Sequence, residues 1–200
     1  MAKIGLKKLY YAVLAEDDAI NGCKYYEKKE IVAPIESKVS LENAEGELYG
    51  GDQLVESSSE FVKGTLTLGI TDDDDTIFAE LLGNSIADKT LGVDPNVKYK
   101  EVIQKSTDIG PYVGIGQIVP KIVNGTKKWK AEFLCKARFK PYGSESKTKG
   151  KSLEYSTPSV EATIFANAKN EYEHHATFDT EDDALSYLVK CFGPAVSKDS

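Results

Sequence analysis

The longest regular pattern in the chain is an alternation of apolar and charged residues over residues 127–140. Apolar or small side chains occupy one set of positions and charged side chains the other: Trp129, Ala131, Phe133, Cys135, Ala137 and Phe139 against Lys128, Lys130, Glu132, Lys136, Arg138 and Lys140. A period of two predicts a long β-strand with one buried face. Asn124 and Gly125 precede this run. Because the pair supplies the positive φ angles of a type I′ turn, it predicts an antiparallel hairpin.

Three other segments alternate in the same way and predict further strands. They lie at residues 35–41, 66–70 and 160–164, and the Tyr and Thr residues in such runs suit half-buried, pleated surfaces. Short strands joined by turns favour an antiparallel sandwich or barrel. We therefore expect a mainly β fold, an antiparallel β-sandwich, forming one domain over residues 1–200.

Two segments carry the spacing of an amphipathic helix. The first lies within "TDDDDTIFAELLGN", where Asp74 or Asp75 can cap the start, Gly83 follows the end, and the apolar stripe is Ile77, Phe78, Leu81 and Leu82. The second follows "TEDD" and stops at Gly193-Pro194, with the stripe Ala184, Leu185, Leu188, Val189 and Phe192. We expect one helix flanking the sheet and a second, C-terminal helix. The remaining polar segments are predicted to be irregular: 88–97, 141–152 and a frayed end at 195–200.

Composition and charge narrow the possible functions. The 200 residues carry a net charge of −7, which is the wrong sign for a chain that holds nucleic acid tightly through its phosphates. The three cysteines are far apart and form no Cys-x-x-Cys pair, so we expect neither disulfides nor a zinc site, and synthesis in a reducing cytosol. The N-terminus lacks the apolar core of a signal peptide, and no apolar run is long enough to span a membrane.

Three motifs resemble calcium-, phosphate- or metal-binding sites, and each lacks residues or geometry that such a site requires. The acids at 72–75 are not an EF-hand loop, because Ile77 and Gly83 stand where Gly and Glu are required. Gly150-Lys151-Ser152 lacks the first glycine and the helix of a phosphate-binding loop. His174 and His175 are adjacent, so on a strand their side chains point to opposite faces and do not converge on a metal.

A nucleophile elbow is also missing, and Gly114-x-Gly116 indicates close packing in a strand. We expect no catalytic, metal or cofactor site, and a protein that is not an enzyme.

Six segments, taken in order, carry a family resemblance. They are "MAKIGLKKLYYAVL", "SLENAEGELYGGDQLVESSSEFVKGTLTLGITD", "FAELLG", "PYVGIGQIV", "KWKAEFLCKARFKP" and "TKGKSLEYSTPSVEATIF". From the first residue to about Phe165 the chain resembles the phi13-type major tail proteins, the tail tube proteins of long-tailed bacteriophages (siphoviruses). Residues 167–200 match less distinctly.

The resemblance implies a structural virion protein, a tail tube subunit. Six copies would close into a homohexameric ring, and stacked rings would form the conduit for DNA ejection. The implied partners are other copies of the chain and the tape-measure, tail-terminator and distal tail proteins, with DNA passing transiently and without specific binding. The implied location is the phage tail, assembled in the host cytoplasm, with no membrane partner.

The resemblance also implies a β-hairpin arm, at about residues 37–70, that reaches a neighbouring subunit. It assigns residues 49–60 to the tip or loop of the arm, and these residues to the contact between subunits: Val39, Leu41, Tyr49, Leu54, Val55, Phe61, Leu66 and Leu68. Because like charge would repel passing phosphates, we hypothesise that some of the arm's acids face the lumen. The candidates are Glu42, Glu45, Glu47, Asp52, Glu56 and Glu60.

A second interpretation, of a different class, is a soluble β-sandwich module that binds carbohydrate or peptide. Its contact surface would be aromatic, because Tyr is common at binding faces. The candidate residues are Tyr10, Tyr11, Tyr25, Tyr26 and Tyr49. The lysines of the 128–140 strand and of the 147–151 loop have no assigned role in either interpretation.

Overall fold

The computed structural model of the chain describes residues 2–3, 5–32, 34–50, 53–70, 75–92, 97–141, 143 and 159–197, and at 2–3, 47–50, 53–57 and 70 it describes the backbone alone. The strands are β1 (Ala2–Lys3), β2 (Lys8–Asp18), β3 (Gly22–Tyr25), β4 (Lys29–Ile31), β5 (Pro34–Gly50), β6 (Gln53–Ile70), β7 (Ser85–Thr90), β8 (Lys98–Ile103), β9 (Val113–Val123), β10 (Thr126–Phe139), β11 (Ser159–Phe165) and β12 (Glu173–Phe178). The helices are α1 (Asp75–Leu82) and α2 (Glu181–Phe192). The predicted mainly β fold with two helices is confirmed.

Within the described residues, ten strands form one antiparallel sheet along the path β3-β2-β9-β10-β11-β6-β5, while β7 and β8 pair separately. Strand β10 is the centre of this sheet. One of its edges pairs with β9, and the other pairs with β12 at Trp129–Leu134 and with β11 at Lys136–Phe139. The long strand thereby joins the N-terminal, arm and C-terminal parts of the chain.

The sheet is buried on both faces. In β2, Leu9 and Tyr11 belong to a first apolar cluster, while Tyr10 and Ala12 belong to a second cluster that α2 covers. The first cluster also contains Leu66 and other residues of β6, together with α1. Because β2 and β6 are far apart along the strand path and yet share this cluster, the sheet must curve around it.

The prediction of one buried face along β10 is wrong. Phe133 and Cys135 do pack in the second cluster beneath α2, but Ala137 and Phe139 pack in the first cluster. The pairing with β9 shifts register between Leu134 and Ala137. Such a bulge adds one residue and reverses the faces, so the strand contributes to both cores while its sequence alternation continues unbroken.

Two predictions about glycine are confirmed. Asn124 and Gly125 have φ angles of 50° and 79° and join β9 to β10, as a type I′ turn requires. In β9, a Cβ on Gly114 would lie 2.6 Å from Cε1 of Tyr25, and one on Gly116 would lie 3.0 Å from Cε2 of Phe192. These two positions are therefore glycine because aromatic rings lie directly on the strand.

Both predicted helices form, with differences at their ends. Asp75 is the first residue of α1, and Asp74 lies outside the described residues. Helix α2 starts after Thr180, whose side chain accepts a hydrogen bond from the Asp183 amide. Val189 is exposed, so its place in the buried stripe is wrong. The predicted fraying is wrong at Val196, whose N–H donates to the Tyr25 carbonyl at 2.9 Å.

The predicted irregular segment at 88–97 is also wrong over its first residues, because β7 and β8 form a hairpin there. The acids at 72–74, the Gly150-Lys151-Ser152 segment and the lysines of 147–151 lie outside the described residues.

Candidate assembly interface

The predicted arm is a two-stranded ribbon made by β5 and β6. The two strands pair from Pro34 with Ile70 as far as Gly50 with Gln53. Strand β11 covers β6 only over Gly64–Gly69, so the rest of the ribbon continues without a third strand. At about 3.3 Å per residue, residues 42–50 project roughly 27 Å beyond the point where β11 ends.

The prediction of a loop at 49–60 is wrong. Ser57, Ser58 and Ser59 lie in β6 and pair with residues 45–47 of β5. The ladder closes at Gly50 and Gln53, and Asp52, in the turn between them, lies outside the described residues. Ser58 faces Gly46 across the ladder, and an added Cβ on Gly46 would lie 2.9 Å from the Ser58 hydroxyl. The two strands are therefore close enough here that small side chains fit best.

The base of the arm is fastened to the body of the chain. Leu66 and Leu68 are 0% exposed in the first cluster, and Val39 packs against it. Phe61 stacks on Tyr172 with ring centroids 4.1 Å apart, and the Tyr172 carbonyl accepts a hydrogen bond from the Cys135 amide of β10. The two leucines, which the resemblance assigned to a contact between subunits, are thus already buried within their own chain and unexposed to a neighbour.

Further along, apolar side chains of the arm are exposed. Leu41 is 43% exposed and Val62 is 52% exposed. The ladder steps from Glu42–Lys63 to Asn43–Phe61, so Val62 is the extra residue of a bulge. A second shift leaves Val55 opposite no ladder partner, and Tyr49 pairs with Leu54. The side chains of Tyr49, Leu54 and Val55 lie outside the described residues.

Strand β5 is an edge strand. Within the described residues it pairs with β6 and with no other strand. Its outer backbone N–H and C=O groups therefore form an unpaired row along Pro34–Gly50, which is a template for a strand of another chain. Charged side chains such as Glu36 and Lys38 on this strand act against indiscriminate pairing.

The acids of the arm do not share one face. Glu42 forms an ion pair with the facing Lys63 at 3.2 Å. Glu60 faces Ala44, two residues from Glu42, so Glu60 and Glu42 share a face and Glu45 lies on the other. Glu47 and Glu56 lie in the paired strands, and their side chains, like the whole of Asp52, lie outside the described residues. If one face of the arm lined the lumen, some of these six acids would point into the lumen and others would point away from it.

Four lysines of the 128–140 segment are paired with acids of the same chain. Lys128 pairs with Asp179, Lys130 with Glu132, Lys136 with Asp17 and Lys140 with Glu161. Each pair cancels one positive charge of the segment, so the predicted basic face is largely neutralised. Glu132 lies on β10 itself, whereas the other three acids come from other parts of the chain, which sequence periodicity does not reveal.

Burial disfavours the thiolate form of all three cysteines. Burial raises the pKa of Cys135 to about 12, and burial also raises the pKa values of Cys23 and Cys191. Since the thiolate is the reactive form, all three are protonated at neutral pH. Among the described residues, no group of three or more His, Cys, Asp or Glu side chains is arranged to hold a metal ion.

Most of the aromatic surface of the binding-module interpretation is buried. Tyr10, Tyr11 and Tyr25 are buried, and Tyr25 donates to the Cys135 carbonyl at 2.6 Å from within the second cluster. Tyr26 is half-buried, and the side chain of Tyr49 lies outside the described residues. Three of the five proposed contact residues thus belong to the interior.

Comparison with known proteins adds no family assignment. No protein-family model matches the chain, and no curated protein matches it significantly. Within the described residues, no helix is long and apolar enough to cross a membrane.

Proposed function

We propose that this chain is a self-assembling structural protein, the major subunit of a phage tail tube, with no catalytic role. The observation that carries the proposal is the β5–β6 arm, a long ribbon that is fixed at its base and exposed at residues 40–46 and 58–60 beyond it. An isolated two-stranded ribbon is marginally stable in water. A second protein surface that pairs with its edge or covers its apolar residues would stabilise it.

The anchoring of the arm supports the same function. Leu66, Leu68 and the Phe61–Tyr172 stack fix where the arm leaves the body. A subunit that must repeat around a ring needs such a fixed direction, because a closed ring requires the same angle at every interface. A flexible tether would not set that angle.

The distribution of charge fits a conduit. Residues 39–62 contain six acids and neither lysine nor arginine, while Lys128, Lys130, Lys136 and Lys140 are paired with acids of the same chain. A wall that presents net negative or neutral charge lets DNA pass, since phosphates are gripped by exposed cations. The proposed partners are other copies of the chain and the tape-measure, tail-terminator and distal tail proteins, in the phage tail.

The experiment is negative-stain electron microscopy of the purified chain over a concentration series, with light scattering on the same samples. We expect rings or hollow tubes whose mass is a multiple of the chain mass. A compact particle with the mass of one chain at every concentration would contradict the proposal.

A further inference from the structure

Arg138 differs from the four lysines that share its charged face in the 128–140 segment. Lys128, Lys130, Lys136 and Lys140 each have an acidic partner. Within the described residues, no carboxylate pairs with Arg138, and its Nε is buried with no hydrogen-bond partner. A buried Nε–H that lacks an acceptor has lost hydration without replacement, which is unfavourable.

The guanidinium is nevertheless held in place. Its central carbon lies 3.8 Å from the centroid of the Tyr112 ring, and Lys136 Nζ lies 4.5 Å from the same centroid. Tyr112 is in turn fixed by an edge-on contact with Phe165, with centroids 5.6 Å apart. Because Asp17 neutralises Lys136 at 2.7 Å, the described residues leave one positive charge at this site uncompensated, on a pre-oriented fork. Such a fork binds carboxylate or phosphate well.

We propose that this Arg138–Tyr112 site receives a carboxylate from the arm of a second copy of the chain; the inference rests on the proposed function and names the surface that the arm contacts. The arm supplies the acids. Glu45 and Glu60 are exposed, and within the described residues neither has an ion-pair partner, whereas Glu42 is paired with Lys63.

The arm of the same chain does not reach the site. Arg138 lies in register with Thr163 of β11, which pairs with Thr65 of β6, which pairs with Ser40 of β5. Glu45 is therefore three strand spacings across the sheet and several residues further along β5, roughly 20 Å from Arg138. The arm also runs away from the sheet at that point, so a carboxylate must come from another copy.

A nucleic-acid phosphate has the same chemistry but fits less well. Stable binding to DNA uses several cations along the backbone, and the lysines next to Arg138 in β10 are already paired with acids. A single arginine stacked on a tyrosine ring can bind one carboxylate. The same arginine alone would bind DNA weakly, because it neutralises only one phosphate.

The test first reverses the charge at Arg138 and then restores an ion pair by reversing the charge of an acid on the arm. Arg138→Glu should raise the protein concentration needed for assembly by at least about tenfold, because it places like charges together. Lys105→Glu, at an exposed loop position, makes the same change in net charge and should assemble as the unmodified chain does. Adding Glu45→Lys or Glu60→Lys to Arg138→Glu should restore assembly, and the variant that does so identifies the contacting acid.

Four results would overturn the inference. Arg138→Glu assembling as readily as Lys105→Glu would leave the proposed function intact and reject this contact. Failure of both lysine variants to restore assembly would do the same, as would an Arg138→Glu chain that assembles normally but binds an oligonucleotide more weakly than the unmodified chain does. An unmodified chain that never associates would instead reject the proposed function and the contact together. If Arg138→Glu unfolds at a lower temperature than Lys105→Glu, Arg138→Gln replaces it, and the concentration needed for assembly should rise by a smaller factor, because Gln removes the ion pair without adding a like charge.

Discussion

Gly114 shows how a single residue decides the packing of the second cluster. Its missing side chain leaves room for the ring of Tyr25, which contacts Phe133 and Phe192 edge-on and donates to the Cys135 carbonyl. Tyr25 thereby links β3, β10 and α2. A methyl group at position 114 would displace this ring.

We therefore expect Gly114→Ala to lower the free energy of unfolding by about 1–3 kcal/mol, as overpacked cores do. Gly92→Ala is the matched control, since an added Cβ there meets no atom within 4 Å, and it should change stability by less than about 0.5 kcal/mol. Urea unfolding of both variants gives the comparison. Equal stability of the two would show that Tyr25 is not packed against β9 as described.

Asp17 makes a pH-dependent contribution to the free energy of unfolding. Burial on its own would raise the pKa of this carboxyl, but hydrogen bonds from Lys136 Nζ and the Ala168 amide outweigh burial, and the pKa is lowered from its ordinary value of 3.8. The folded pKa lies below the unfolded one. The resulting stabilisation is therefore complete above pH 3.8 and is lost as the pH falls through the folded value.

Asp17→Asn should thus be less stable than the unmodified chain at pH 7, because it removes the ion pair with Lys136. The difference should shrink as the pH falls below about 3.8, because Asp17 then binds a proton in the unfolded chain before it does so in the folded chain. Unfolding curves at pH 7 and pH 3 measure it. A difference that is the same at both values would mean that the charge of Asp17 contributes nothing to stability.

At the scale of elements, the sequence predicted the turns and helices whose structure depends on neighbouring residues. The Asn124-Gly125 turn and the stripe of α1 depend on neighbouring residues alone, and both form. The hairpin of β7 and β8 was missed because it has little buried face, so its residues do not alternate in polarity. The bulge in β10 was missed because apolar residues continue at every second position across it.

The arm illustrates the same limit for the candidate interface. The family resemblance implied a hairpin near residues 37–70, but Tyr172, whose ring stacks on Phe61, lies more than a hundred residues away and carried no signal. That no carboxylate of the described residues pairs with Arg138 likewise depends on which acids the sheet brings together. Long-range pairings of this kind follow from the fold and not from local pattern.

Substitution of two leucines of the arm should affect different properties: Leu68 the stability of the fold, and Leu41 the assembly of copies. Leu68→Ala empties a site that is 0% exposed and should cost about 2–5 kcal/mol of unfolding free energy. Leu41→Ala changes a side chain that is largely exposed and should cost about 1 kcal/mol or less. We expect Leu41→Ala, which stays folded, to raise the concentration needed for assembly. Folded Leu41→Ala protein that assembles normally would show that this side chain meets no neighbour.

At the scale of the whole molecule, the negative charge is concentrated on the arm. The chain carries −7, and residues 39–62 contribute six acids and no cation, so the remainder is close to neutral. The acidic element is also the one that projects furthest from the sheet and has an unpaired edge. Repulsion between arms and attraction to Arg138 together would place each arm on the body of another copy.

The most direct measurement compares the intact chain with one whose arm is shortened. Residues 46–58 are replaced by Asn-Gly between Glu45 and Ser59, which face each other in the ladder, so that a type I′ turn closes the ribbon. The unfolding transition should be unchanged, because the removed residues lie in the ribbon beyond Gly64–Gly69, the part of β6 that β11 covers. By light scattering and electron microscopy, the intact chain should form rings or tubes at concentrations where the shortened chain keeps the mass of one copy. Equal masses for the two proteins at every concentration would contradict assembly through the arm.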